Sequence, residues 1–253
     1  MPSRLVRILV GATACAILIA SCGGDDSPSV ARKVESPGGT TTTAALPAWA
    51  SQIATPIGKE IAVYEQPDAS SPSESYPNPW PLDKDPAHVV PQVFLVESEQ
   101  GAWVEVLLPV RPNGTTGWVR KEDVALTPNR FSIDVSLGQN QITVHDADQV
   151  LLQEPIAVGA PETPTPPGKY YLRVLLKAPD PNTVYGPYAF GLSAHSDVLD
   201  TFNGGDGEVG IHGNNDASVL GTDVTHGCVR MSNEGITKLA GILPLGTPVN
   251  ITA

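Results

Sequence analysis

The sequence predicts a mainly β protein, a small β module followed by a larger β-sandwich-like domain with one or two short helices. Three observations carry this. Phe131, Ile133, Val135 and Leu137 alternate with Ser132, Asp134 and Ser136, the period-two pattern of a half-buried strand. Short apolar runs recur between clusters of Pro, Gly, Asn and Asp, as strands do between turns. Helical spacing is clearest in Ile236–Ile242, with Ser232 or Asn233 placed to cap it.

Taken in order, the chain opens with an export pattern. Arg4 and Arg7 precede an apolar run, Ile8–Ile19, that is too short to span a bilayer comfortably. It ends in Ile19-Ala20-Ser21-Cys22, which resembles a lipobox, so residues 1–21 read as a lipoprotein signal peptide and Cys22 as the lipidated mature terminus. An ordinary signal peptide cut nearby is the alternative. Residues 22–49, rich in Ser, Pro, Gly and Thr, read as a disordered tether. The expected location is therefore the outer face of the cytoplasmic membrane, held by the lipid at Cys22.

Residues 50–127 form the small β module. Strands are expected at Ile61–Tyr64, Val93–Val96 and Trp103–Leu108, with a long loop over 65–91. Asn113-Gly114 is a tight-turn signal that returns the chain into Thr116–Val119. The run "GAWVEVLLPVRPNGTTGWV" resembles the bacterial SH3-like modules of cell-wall proteins. Thr127-Pro128 marks the boundary to the larger domain, residues 129–253. There, Gly138-Gln139-Asn140 turns the first strand into Ile142–Val144, and Val150–Leu152 and Ile156–Val158 extend a meander. Tyr170–Lys177 and Val209–His212 are strands, residues 178–208 a long loop over one face, residues 213–224 a polar loop, and Val249–Ile251 the last strand.

With 15 basic against 27 acidic residues the chain carries a net charge of −12, which argues against nucleic acid as a partner. An anionic substrate would need a local cation. Of the three cysteines, Cys15 lies in the removed segment and Cys22 is blocked by lipid, leaving Cys228 as a lone thiol in an exported protein. On count alone it is either a reactive group or a buried small hydrophobe.

Cys228 sits in Thr225-His226-Gly227-Cys228-Val229-Arg230. Read as an extended segment, this puts His226, Cys228 and Arg230 on one face and Val229 in the core. An imidazole and a guanidinium beside a thiol favour the thiolate, and Gly227 leaves backbone amides free for an oxyanion, as thiol acyl transfer requires. A zinc site of His212, His226 and Cys228 fits poorly, since His-x-Cys is not a usual chelate and no fourth ligand is indicated. No metal is expected. His145 reads as a surface residue, His195 as a residue of a long loop, and His88 as one without evident chemistry.

These residues resemble a known family. His212-Gly213, a polar spacer, then Thr225-His226-Gly227-Cys228 is similar to the signature of the L,D-transpeptidases with a YkuD-type catalytic domain. "TPTPPGKY" (163–170), "GPYAFGLS" (186–193), "GGDGEVGIHG" (204–213) and "LPLGTPVNI" (243–251) follow in the family's order. The resemblance covers roughly residues 129–253. It implies Cys228 as nucleophile, His212 as base, the Gly213 carbonyl as orienter of the imidazole, and the amides of Gly227 and Cys228 as oxyanion hole. His226 would shape the site. Thr225, Asn214, Tyr188 and Arg230 are implied at the substrate, Arg230 either as a cation for stem-peptide carboxylates or as half of a structural ion pair. The implied reaction is a 3→3 peptidoglycan cross-link between stem peptides, through a Cys thioester with release of D-alanine, in a monomer that needs no cofactor and is acylated by carbapenems. Hydrolysis of the same thioester, and a catalytically silent wall-binding lipoprotein, are the alternatives. An NlpC/P60-type peptidase fits worse because there the Cys precedes its His. The sequence departs from the family at Asn214, where Thr is frequent, and at Gly235, where Asp often starts the helix; the first is expected to retune the pocket rim and the second only to weaken a cap, by less than about 1–2 kcal/mol.

Overall fold

The computed structural model describes residues 47–82, 88–201 and 205–253. The signal segment, Cys22 and nearly all of the tether lie outside the described residues. Nine strands make the amino-terminal part: β1 (Ser51–Pro56), β2 (Glu60–Val63), β3 (Glu74–Pro77), β4 (Trp80–Pro81), β5 (Val89–Val90), β6 (Phe94–Gln100), β7 (Trp103–Leu107), β8 (Thr116–Arg120) and β9 (Val124–Asn129). Five of them form one antiparallel sheet in the order β8-β7-β6-β1-β9. Its core is apolar, with Val104, Val106, Val119 and Phe94 fully buried. The expected long loop over 65–91 instead contains β3, β4 and β5. β3 pairs with β2, and the Asn78 side chain donates to the carbonyls of Pro56 and Gly58, so backbone that reads as Pro- and Ser-rich coil finds partners.

The expected boundary at Thr127-Pro128 also moves. Both residues lie inside β9, paired with Ile53 and Gln52 of β1. β9 is the edge of its sheet, where a missing N–H costs nothing in the ladder. The break falls at Asn129–Arg130, whose Asn129 amide donates to Phe131 O at 2.9 Å and turns the chain out of the sheet.

The second part comprises β10 (Phe131–Ser136), β11 (Gln141–Asp146), β12 (Gln149–Pro155), β13 (Val158–Gly159), β14 (Gly168–Lys177), β15 (Tyr188–His195), β16 (Glu208–His212), β17 (Asp223–Thr225), β18 (Val229–Arg230), the helix α1 (Asn233–Ala240) and β19 (Pro248–Thr252). Eight of these strands run β12-β11-β10-β19-β14-β15-β16-β18. β14 belongs to both halves: its first residues pair with β19 and its later ones with β15. The halves enclose one core, in which Ile133, Val135, Ile142 and Val144 meet Phe190, Leu192, Ile211, Val229, and Ile236 and Leu239 of α1. This is the mainly β, sandwich-like architecture the sequence predicts, with α1 the one α-helix among the described residues.

Two element assignments are corrected. Ile156–Val158 does not extend the meander; β13 crosses to pair in parallel with β17. Residues 178–208 are not all loop, because β15 occupies eight of them at the middle of the domain.

Candidate active site

Cys228 and His212 arrive from neighbouring strands. β16 and β18 pair in parallel, with Ile211 opposite Val229 and His212 opposite Arg230, so the His-Gly end of one strand lies beside the Cys-Val-Arg start of the other. Thr225-His226-Gly227-Cys228 is not the single extended segment expected. β17 ends at Thr225, Gly227 takes φ +110°, and β18 starts at Val229. A left-handed φ at Gly227 is cheap only for glycine. The turn is stapled from within: Thr225 Oγ1 donates to Cys228 O at 2.6 Å and accepts from Gly227 N at 3.2 Å. It is braced from outside by the Thr-Pro-Thr segment. Thr163 Oγ1 donates to Thr225 O at 3.0 Å and Thr165 Oγ1 to Gly227 O at 2.9 Å. Gly159 is needed there, since a Cβ would collide with the backbone of Thr163–Thr165.

Despite the turn, His212, Thr225, His226, Cys228 and Arg230 share one cavity of about 240 Å³, completed by Val184 and Tyr185. His212 is 3% exposed and its Nδ1 is 2.7 Å from Gly213 O. A carbonyl only accepts, so Nδ1 carries the hydrogen and Nε2 keeps a lone pair. Burial pushes the His212 pKa down to about 4, against the backbone of Gly213 and of Val184, which favour the charged ring, and with help from Arg230. His212 is therefore neutral at physiological pH. Burial also pushes the Cys228 thiol up, outweighing the hydrogen bond from the Gly210 backbone and the Arg230 charge that favour the thiolate. The Arg230 guanidinium favours the thiolate, as the sequence suggests, but desolvation outweighs it and leaves the Cys228 pKa raised.

The remaining residues named from the sequence separate into those at the cavity and those beside it. Arg230 is fixed by a two-way backbone bridge with Ala157, at 2.8 and 2.9 Å. Its Nε is buried without a hydrogen-bond partner, and no acidic side chain pairs with it among the described residues. Asn214 does not face the cavity. Its amide donates to Met231 O at 2.8 Å, its N–H to Asn233 Oδ1 at 2.9 Å, and its Oδ1 accepts from Asp216 N at 2.8 Å, so it stitches the end of β16 to the start of α1. Tyr188 lies in an adjoining, mostly apolar groove of about 530 Å³ with Leu176, Ala178 and Pro179. The aromatic at the cavity is Tyr185, its ring 5.0 Å from that of His212, lining both groove and cavity. Sequence reasoning missed it because an isolated Tyr in a Pro- and Asn-rich loop has no periodic signal. Thr225 is 1% exposed with its hydroxyl committed to the turn, so its contribution is architectural.

The donor atoms that converge within 4.8 Å among the described residues belong to His195, Asp206 and Glu208, away from Cys228. There Glu208 is already bonded to Arg173, and Arg111 and Arg173 both act on His195, so the cluster is charge-balanced by arginines.

Residues 130–251 match the model of the YkuD family, described as the L,D-transpeptidase catalytic domain. The chain is 34% identical over 122 residues to the YkuD protein of Bacillus licheniformis, covering 48% of this chain and 66% of that one. It is 34% identical over 121 residues to YkuD of Bacillus subtilis strain 168, covering 48% and 65%. The chain thus spans just under two-thirds of the length of these relatives. L,D-transpeptidase 3 of Mycobacterium tuberculosis superposes with a TM-score of 0.43 at 17% identity, over 64% of this chain and 92% of that one. The segment that matches the YkuD family of L,D-transpeptidase catalytic domains, residues 130–251, is the one that holds the His212 and Cys228 strands.

Proposed function

We propose that the protein is an envelope-anchored L,D-transpeptidase that forms 3→3 cross-links in peptidoglycan. One observation carries the reading: a neutral, Gly213-oriented His212 and the thiol of Cys228 line the same small cavity. In the acylation step Cys228 Sγ attacks the carbonyl carbon between the third stem residue and the terminal D-alanine. The thiol proton passes to His212, whose imidazolium is supported by the Gly213 and Val184 backbones. The oxyanion faces the amides of Cys228 and Gly227, the latter shared with Thr225 Oγ1 through a long 3.2 Å bond. Collapse returns the proton to the departing D-alanine amine and leaves a thioester. The side-chain amine of a second stem then attacks, loses its proton to His212, and releases Cys228. Arg230, with a buried unpartnered Nε at the cavity, meets a stem carboxylate. Tyr185 covers the imidazole and excludes water.

The test is mass spectrometry of the purified protein with a disaccharide-tetrapeptide. Cross-linked dimer, a thioester on Cys228 and free D-alanine are expected, and Cys228→Ala should lose all three. Tripeptide without dimer would favour the carboxypeptidase reading, and no thioester at all the silent one. The anchoring part of the proposal stands on Ile19–Cys22 alone and predicts that labelled fatty acid enters the wild type but not Cys22→Ser.

A further inference from the structure

We propose that Arg111, a residue of the amino-terminal sheet, is a positioning residue for the Cys228–His212 site, acting through β16. The proposal rests on reading Cys228 and His212 as the reacting pair. It begins with a weakness in the ladder that holds β16. Gly191 pairs with Gly210, but the next pair is His195 with Glu208, so three residues of β15 bulge against one of β16. Below Gly210 the regular ladder no longer fixes the strand.

The 108–115 connection between β7 and β8 supplies what the ladder lacks. Arg111 Nη1 donates to Ser196 O at 2.5 Å, and Nη2 donates to Leu199 O at 3.0 Å and Asp206 O at 2.7 Å. Asn113 makes a two-way pair with the His195 backbone, donating to its carbonyl at 2.7 Å and accepting from its N–H at 2.9 Å. All three acceptors of Arg111 are backbone carbonyls flanking the β15–β16 connection, and a planar guanidinium satisfies several at fixed angles as a lysine cannot. Gly207 keeps the space open: it has φ +75°, and a Cβ there would drive into Leu199 O and lie 2.9 Å from Arg111 Nη2. Ser196 N closes the arrangement on Gly207 O at 2.8 Å.

β16 starts at the next residue and bears both groups the site depends on. The Gly210 backbone bonds the Cys228 sulfur, and His212 ends the strand. Holding Glu208 and Gly207 in place therefore sets how closely Gly210 meets the sulfur.

The experiment uses the full chain and follows alkylation of Cys228 by iodoacetamide from about pH 6 to 10.5, read on the Cys228 peptide by mass spectrometry, beside thermal melting. In Arg111→Met the Gly210 contact loosens, the thiolate loses support, and the alkylation midpoint moves up by about half a unit, roughly threefold slower reaction at pH 8. Arg111→Lys should recover part of the shift. A lowered melting temperature with an unmoved midpoint would make Arg111 a structural clamp only and overturn the proposal. Should Arg111→Met fail to fold, Asn113→Ala removes the His195 pair while leaving Arg111, and must show a smaller shift in the same direction. Alkylation needs no substrate, so cross-linking that survives in Cys228→Ala would sink the catalytic reading without touching this result.

Discussion

At the residue scale the site turns on two groups whose protonation is set by burial. Burial pushes the His212 pKa down to about 4 and the Cys228 thiol above its usual range, so in the mechanism proposed above Cys228 depends on His212 to take its proton. That makes the base indispensable at neutral pH. His212→Ala should slow carbapenem acylation of Cys228 by about 10²–10⁴-fold. The deficit should shrink only above the ordinary thiol range, where hydroxide makes the thiolate unaided. His226 is closer in sequence but stands exposed on the Gly227 turn, so His226→Ala should damage geometry and give a defect that is flat with pH. Acylation rates of both variants from about pH 6 to 10 separate the roles, and a rescued His226→Ala beside a flat His212→Ala would reverse them.

At the scale of elements, α1 shows how a departure from a family pattern is absorbed elsewhere. Ser232 caps the helix by accepting from Gly235 N at 2.9 Å, and Glu154 of β12 accepts from Ser232 N and Oγ at 2.8 and 2.9 Å. The carboxylate that sequence reasoning wants at position 235 is thus delivered from another strand. A Cβ at Gly235 would lie 2.6 and 2.7 Å from the two Glu154 oxygens. Gly235→Asp should therefore destabilise, by about 1–3 kcal/mol through crowding and like charge. Thermal melting checks it, and Glu154→Ala should restore much of the loss in the double variant; an undiminished melting temperature in Gly235→Asp alone would refute the account. The same scale explains what was legible in the sequence. β10 and β11 announce themselves through apolar residues at alternate positions, and β14 through a nearly continuous run of aromatic and aliphatic residues. β15, Tyr-Ala-Phe-Gly-Leu-Ser-Ala-His, also alternates, with Phe190, Leu192 and Ala194 buried, but its Ala, Gly and Ser are weak β-formers and it lies in a stretch rich in Pro, Gly, Asn and Asp that reads as loop. The His212–Cys228 pair was legible because motif spacing carries it. Asn214 and Tyr188 lie beside the Cys228 cavity rather than in it, because adjacency to a motif says nothing about which side of the backbone faces the cavity.

At the scale of the molecule, the two β parts are not independent modules. All described residues fall in one compact unit. Tyr171 of β14, fully buried, and Leu245 pack against the amino-terminal core rather than only their own. Gly246, at φ +90°, lies so close to β1 that a Cβ would stand 2.6 Å from the Ile53 side chain. Lys169 pairs with Glu97 at 2.7 Å, and the Arg173 guanidinium sits 3.9 Å over the Trp80 ring. The polar contacts of Arg111 and Asn113 complete the junction. Burying a large apolar side chain contributes about 1.5–3 kcal/mol, so uncovering Tyr171 forfeits at most about 3 kcal/mol. Uncovering Leu245, Trp80's cation partner and the Arg111 acceptors adds to that, against a total stability of only about 5–15 kcal/mol for a domain. A chain beginning at Arg130 should consequently fail to hold a native state, although the family match starts there. It should give a featureless near-UV circular dichroism spectrum and no cooperative melt, and addition of residues 47–129 as a separate polypeptide should restore part of both. If the shortened chain were instead monomeric, melted cooperatively and alkylated at Cys228 at the full-length rate, the amino-terminal sheet would be an appendage, and the coupling of Arg111 to the site would fall with it.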